Sequence, residues 1–263
     1  MKLLTVNVHA WLEEDQDEKI DILARTIAER QYDVIALQEV NQRMDAQSVG
    51  RELKKDNYGL VLLEKLRVLG VEDYSYFWSF SHIGYDIYEE GIALLTKLPV
   101  VEVDAFYCSY HQKADAILSR KTLGLTLRYQ HQLIEVYSCH INLPTAEGES
   151  QLDNVQTILN RTDTGHFKLL MGDFNADAFD DVSNYQAIKE LGLWDSYDLA
   201  LAKDHGTTVA KAIDGWSGHF QEKRLDYLFM TEARTVQSSN VVFNGVHQPP
   251  ISDHFGLEVE IDI

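Results

Sequence analysis

Apolar positions recur along this chain with two periods, and the two alternate. Residues 3–8 and 34–37 are short β-prone runs, and between them Ile20, Leu23, Ala24 and Ile27 stand at helical spacing behind acidic capping candidates. The prediction is strand, helix over 17–29, strand. Further β-like runs cover 60–63, 76–81, 92–95, 123–127, 133–141 and 168–171, and 225–230, 236–242 and 256–261 close the chain as strands. Two more helices are predicted over 150–159 and 183–191, the second with Ser183 and Gln186 as a capping box and Gly192 as its stop. Strands outnumber helices, and no Pro/Gly/Ser-rich linker or fixed-period repeat interrupts the series, so the reading is one domain over 1–263.

Composition narrows the class of partner. With 263 residues, 45% of them hydrophobic and 25% charged, the chain is an ordinary globular one whose core needs no staples. Its 42 acidic residues against 23 basic ones leave a formal charge of −19, which repels nucleic acid backbones and anionic membrane surfaces. A small anion accompanied by a divalent cation is still compatible with that field, because a local metal reverses it inside one cleft. Cys108 and Cys139 make neither a disulfide framework nor a two-cysteine metal spacing. The start of the sequence has no basic region followed by a long apolar stretch, and no run reaches the ~20 residues of a membrane span. The expectation is a soluble, cytoplasmic protein with no nucleic acid or membrane partner.

Polar residues stand where the apolar strands give out. Asn7 ends the first, Glu39 follows the second, His140 and Asn142 interrupt the end of 133–143, and Asp173 with Asn175 follows Leu169-Leu170-Met171-Gly172. Each alone is weak, since an acid after a strand is more often a turn residue than a ligand, and a buried histidine is commonly structural. Taken together they offer carboxylates and amides suited to Mg²⁺, His140 and His254, and Asp226 available to orient one of the two.

With those residues in order, the sequence resembles the endonuclease/exonuclease/phosphatase superfamily of metal-dependent phosphoesterases. The resemblance rests on Asn7 in Thr5-Val6-Asn7, Glu39 in Leu37-Gln38-Glu39-Val40, His140 in Ser138-Cys139-His140-Ile141-Asn142, Gly172-Asp173-Phe174-Asn175, Leu225-Asp226-Tyr227 and Ser252-Asp253-His254. It implies a deoxyribonuclease I-like four-layer α/β sandwich, two mainly antiparallel sheets packed face to face with helices outside. It further implies that Glu39 holds the catalytic Mg²⁺, with Mn²⁺ the other ion compatible with the site, and that Asn7 and Asp253 lie close to the metal or its waters. Asp173 and Asn175 would position the attacking water and the phosphoryl oxygens. His254, oriented by Asp226, would act as base or stabilise phosphoryl charge, and His140 would serve the leaving group as donor, with Glu90 or its neighbour Glu89 as carboxylate partner.

Substrate is read from fewer residues. The segments 90–100 and 119–122 and Ile213-Asp214-Gly215-Trp216 resemble the sphingomyelinase-type branch, and the whole outline resembles more closely its small bacterial members that act on maltose 6'-phosphate. The function expected is hydrolysis of a small phosphomonoester, a sugar phosphate above all. Arg120-Lys121 is the adjacent cationic pair that a monoester dianion calls for, unless it is a solvated pair at a strand entrance. Asn142 is a candidate substrate contact. Trp11, Trp216 and Tyr88 are candidate platforms for a sugar ring or else core residues, and Asp214 and His219 are candidate hydroxyl contacts. Two other readings stay open: a phosphodiesterase of sphingomyelinase or nuclease type, and a silent scaffold that only binds phosphorylated ligands, which would be expected to have lost one of the ordered acids or histidines.

Overall fold

The computed structural model describes residues 1–161, 165–180, 182–211, 213, 216 and 221–263. The chain runs β1 (Lys2–Asn7), α1 (Gln16–Arg30), β2 (Val34–Gln38), β3 (Gln42–Arg43), a small hairpin of β4 (Ser48–Gly50) and β5 (Leu53–Lys54), then α2 (Tyr58–Val68). A long hairpin of β6 (Ser75–Gly84) and β7 (Tyr88–Thr96) leads to β8 (Val100–Tyr107), β9 (Lys121–Tyr129), β10 (Gln132–His140), α3 (Gln151–Leu159) and β11 (Phe167–Asp173). The last part comprises α4 (Val182–Glu190), β12 (Trp194–Asp195), α5 (Ser196–Leu199), β13 (Ala200–Lys203), β14 (Asp226–Met230), β15 (Val236–Val242) and β16 (Gly256–Ile261).

Two sheets result. The first has eight strands in the order β13-β15-β16-β1-β2-β7-β3, with β6 also on β7, and only β1–β2 and β13–β15 are parallel pairs. The second has six, β12-β14-β11-β10-β9-β8, antiparallel apart from β10–β11. Because side chains alternate across a strand, each strand serves two layers. Leu3, Val34, Ala36 and Leu94 of the first sheet meet Leu125, Val136, Leu169 and Leu228 of the second in a buried layer between the sheets. The alternate residues Leu4, Val6, Ile35 and Leu37 pack against Ile20, Leu23 and Ile27 of α1 and Leu62 and Leu66 of α2. On the far side Tyr137, Leu170 and Phe229 pack against Val155 and Ile158 of α3 and Tyr185 and Ile188 of α4. Helices, sheet, sheet, helices: this is the four-layer α/β sandwich. Each fully buried Leu or Ile in those layers contributes roughly 1.5–3 kcal/mol.

Besides the short elements β3, β4, β5, β12, α5 and β13, which were not predicted, α2, α4 and β8 differ from the sequence expectation. Residues 60–63 lie inside α2, not in a strand; the run Leu60-Val61-Leu62-Leu63 is too short to show a period, and the helix begins at Asn57, whose side chain accepts the backbone N–H of Gly59 at 3.1 Å. Ser183 does not cap α4 but lies within it, one residue past its start, whereas Ser150 caps α3 by accepting from the Asp153 N–H at 3.2 Å. Strand β8 went unpredicted: it is an edge strand whose residues 101–103 are exposed, so no apolar face marks it.

Candidate active site

The period of two continues past the apolar layer. The inward positions of β1 read Leu3, Thr5, Asn7; those of β10 read Ile134, Val136, Ser138, His140; those of β11 read Leu169, Met171, Asp173. Read backward, β14 gives Met230, Leu228, Asp226 and β7 gives Leu94, Ile92, Glu90. The register sets these ends side by side, Asn7 opposite Gln38, His140 opposite Asp173, Asp173 opposite Asp226. Polar side chains thus replace the apolar filling at one end of the sandwich, where a cleft of about 500 Å³ opens. Glu39 and Asn175, the residues just beyond β2 and β11, turn in at φ 52° and φ 51°, left-handed values that bulky residues seldom adopt. Gly172 is needed for the same approach: at φ +146° its backbone passes so close to β10 that a Cβ would lie 1.9 Å from the Cys139 carbonyl oxygen.

Asn7 ties the floor together, its Nδ2 donating to Glu39 Oε1 at 2.8 Å and to Asp173 Oδ2 at 3.3 Å while its oxygen accepts the His9 N–H. His254 Nδ1 is bonded to buried Asp226 at 2.9 Å, and its Nε2 lies 3.7 Å from Asp173. His140 Nε2 sits 3.8 Å from Asp173 and 3.9 Å from Glu39. Thr208 holds the His254–Asp226 pair from behind: its hydroxyl accepts the N–H groups of Leu225 and Asp226, and its carbonyl accepts that of Phe255 at 2.7 Å. Burial and the Glu90 carboxylate push Glu39 up to about 7, and burial with Asp226 and Glu39 nearby does the same to Asp173, up to about 7. Burial opposes charge on His254, but Asp226 and Asp173 outweigh it and hold the imidazolium well above its usual range. His140 goes the other way, burial and the Arg120 guanidinium holding it neutral.

The donor set fits a hard divalent cation. Glu39, Asp173 and Asp253 line the cleft as carboxylates, and the two raised acids express a repulsion that a cation among them removes. Among the described residues, Asp173, Asp226 and His254 bring one ligand atom each within 4.8 Å of one another, as do His9, Glu13 and Asp253.

The remaining sequence candidates divide. Arg120 is buried in the cleft wall, its Nε donating to Asn142 at 3.3 Å and its Nη1 3.7 Å from Glu90. Glu90, not Glu89, faces the cleft; Glu89 accepts from Gln42 and Lys54. The Glu90–His140 approach is long, 4.0 Å, and His82 Nε2 lies closer to Glu90 at 3.4 Å. Lys121 does not line the cleft; its Nζ lies over the Tyr107 ring. Asn142 is fully buried and bonds Asn154 and the Leu118 carbonyl, so it buttresses Arg120. Trp216 is buried beside Val209 and Leu225, its Nε1 donating to Asn175 Oδ1 at 3.0 Å. Trp11, partly buried, packs edge-on against Tyr58 with its Nε1 donating to the Asn41 carbonyl at 3.0 Å, and Tyr88 is buried; neither lines the cleft. Asp214 and His219 lie outside the described residues. Sequence reasoning overlooked His9, which Glu13 at 2.7 Å, with Asp253 and Glu39 nearby, raises to about 9 against its burial, and Tyr85 on the cleft rim. Alternation through Asn7 and His9 was the available signal for the first; none existed for the second.

The sequence model of the Endonuclease/Exonuclease/phosphatase family matches residues 10–254. No match is found among curated proteins. Among solved structures, an endonuclease/exonuclease/phosphatase family protein from Leptotrichia buccalis is 50% identical, with a TM-score of 0.96 and 100% of both chains covered. A mannosyl-6-phosphatase from Bacteroides thetaiotaomicron is 18% identical over 100% of both chains, with a TM-score of 0.71. The TDP2 protein of D. rerio, complexed with single strand DNA product, is 16% identical over 100% of this chain and 99% of that one, with a TM-score of 0.68. At such identities the last two share the fold.

Proposed function

The chain belongs to the endonuclease/exonuclease/phosphatase family of hydrolases acting on phosphoester bonds, and from that premise we propose that it is a Mg²⁺-dependent phosphatase of a small phosphomonoester, a sugar phosphate above all. The observation that carries the reading is the cleft itself: carboxylates on its floor, the Asp226-bonded His254 and buried Arg120 in its walls, and about 500 Å³ of space, the size of a small-molecule site. The mannosyl-6-phosphatase with the same fold acts on a substrate of that class.

Glu39 and Asp253 would hold the cation, with Asn7 fixing Glu39. When bound, it neutralises charge on the nonbridging phosphoryl oxygens. The Asp173 carboxylate orients water for attack on phosphorus and takes its proton as the new P–O bond forms. Asn175 has its Oδ1 engaged by Trp216 and one Nδ2 hydrogen by the Ile141 carbonyl at 3.0 Å, which aims its second N–H at a phosphoryl oxygen. His254, kept charged by Asp226, stabilises the transferring group and supplies the proton to the leaving alkoxide; His140, neutral, donates a hydrogen bond beside it.

The test is phosphate release from sugar phosphates, nucleotides and choline phosphodiesters with Mg²⁺. Sugar phosphates should turn over fastest, with loss of at least about 10³-fold in Asp173→Asn. Faster cleavage of plasmid DNA or sphingomyelin than of maltose 6'-phosphate would replace the monoester reading with a diesterase one, and no turnover of any ester would revive the silent scaffold.

A further inference from the structure

The catalytic floor accounts for the phosphate; the rim is of different chemistry. Tyr85 and Ile117, with exposures of 51% and 65%, line the cleft together with the partly buried Leu143 and buried Ile213. Tyr85 is the first of the three residues joining β6 to β7 and, with Asp86, a central residue of the turn that Ile87 N–H closes on the Gly84 carbonyl at 3.2 Å. Tyr85 and Asp86 both have left-handed backbones, φ 51° and φ 59°. Glycine and asparagine suit such a turn; an aromatic residue at its first position is a departure from the local preference. The turn is also braced on both flanks, by Ile83 N–H on the Ala114 carbonyl at 2.6 Å and by Met44 N–H on the Ile87 carbonyl at 2.9 Å. A bulky ring is therefore held at the mouth of the cleft by a rigid, locally disfavoured backbone, and backbone strain of this kind collects at functional positions.

We propose that Tyr85 is the sugar platform of the cleft: its ring, with Ile117, takes the apolar C–H face of a pyranose whose phosphate sits on the floor. The inference rests on the monoester reading of that site. A pyranose has one apolar face and a polar edge, which matches an aromatic ring above a polar floor, whereas inorganic phosphate or a glycerol ester fills the floor without reaching the rim. Trp11, Tyr88 and Trp216, the aromatic residues that the sequence offers for this task, do not line the cleft: Tyr88 and Trp216 are buried, and Trp11, partly buried, packs edge-on against Tyr58.

Tyr85→Asn decides it, because asparagine suits the left-handed turn and keeps the hairpin while removing the ring. With Mg²⁺, KM for maltose 6'-phosphate should rise about 10-fold with kcat within twofold, glycerol phosphate kinetics should not change, and Tyr85→Phe, which keeps the ring, should retain most of the preference for the sugar phosphate. Equal effects on both substrates, or none, would overturn the proposal, and so would a larger loss with nucleoside monophosphates than with the sugar phosphate. Calorimetric binding in an Asp173→Asn background separates this from the activity reading: maltose 6'-phosphate should bind more tightly than inorganic phosphate only when Tyr85 or Phe is present. That difference stands even if wild-type turnover of monoesters is absent, and its failure overturns Tyr85 alone.

Discussion

Single side chains in the cleft do separable work, and their removal should show it. As the proposed cation ligand Glu39 would balance the ion's charge while Asn7 holds its carboxylate, so Glu39→Gln keeps the hydrogen bond and the shape and removes one negative charge. The apparent Mg²⁺ requirement should rise by at least about 10-fold, with activity partly recovered at high Mg²⁺. Wild-type turnover at low Mg²⁺ would remove Glu39 from the metal site. Trp216 acts through another residue: its indole N–H fixes the Asn175 amide, which would otherwise rotate. Trp216→Phe should lower kcat about 3- to 10-fold and leave KM nearly unchanged, while unaltered kcat would mean that the bond does not orient Asn175. These residues differ in how readable they were. Asn7, His140, Asp173 and Asp226 are legible because a polar residue at the inward parity of an apolar strand has nowhere to go but the strand end, whereas Glu39 and His254, which lie outside the strands, are legible through Leu37-Gln38-Glu39-Val40 and Ser252-Asp253-His254. Lys121 and Tyr85 are not, because whether a ring or an ammonium faces a cleft is decided by the partner across the sheet and by a turn's φ, neither of which spacing records.

At the level of elements, the site is a meeting of strand ends, so its precision depends on what locks those ends together. Thr208 does this for β14 and β16. Its hydroxyl takes two backbone N–H groups next to Asp226 and its carbonyl takes the one next to His254, so one residue sets the separation of the pair. Thr208→Val keeps the shape and leaves both N–H groups without the hydroxyl they bond. It should cost roughly 1–3 kcal/mol in thermal unfolding and lower kcat about 10-fold, with Thr208→Ser restoring both. A kcat loss that Ser does not restore would point to packing of the Thr methyl instead. Elements that present an apolar face on one side were legible in the sequence: β1, α1, β2, β10 and β11 fall within a few residues of expectation. Helix α2 was not, since its aliphatic run spans barely one helical turn and reads equally well as a strand, and edge strand β8 carries no apolar face to read.

Across the whole molecule the formal charge of −19 puts strong repulsion into the fold, and the cleft concentrates part of it. Glu39 and Asp173, both raised to about 7, and His9, raised to about 9, keep protons in the folded chain that the unfolded chain has already released. For groups raised in this way the stabilisation is complete below the unfolded value and is lost as pH climbs through the folded one. His82, lowered to about 3 by burial and the Arg120 charge, and His140, also lowered, have the opposite sign, but their contribution is spent below the ordinary histidine range. The two sets therefore offset one another in acid, and between pH 7 and 9 only the raised groups still titrate. Metal-free protein should lose about 1–2 kcal/mol over that interval, a fall in Tm of several degrees. On the proposed reading Mg²⁺ would take over the role of those protons at the carboxylates and bind only the folded chain, so its stabilising effect should be larger at pH 8.5 than at pH 6.5. Differential scanning calorimetry in EDTA and in Mg²⁺ measures both slopes. A metal-free Tm that rises from pH 7 to 9, or an equal Mg²⁺ effect at the two pH values, would mean that the cleft carboxylates are not the cation's ligands.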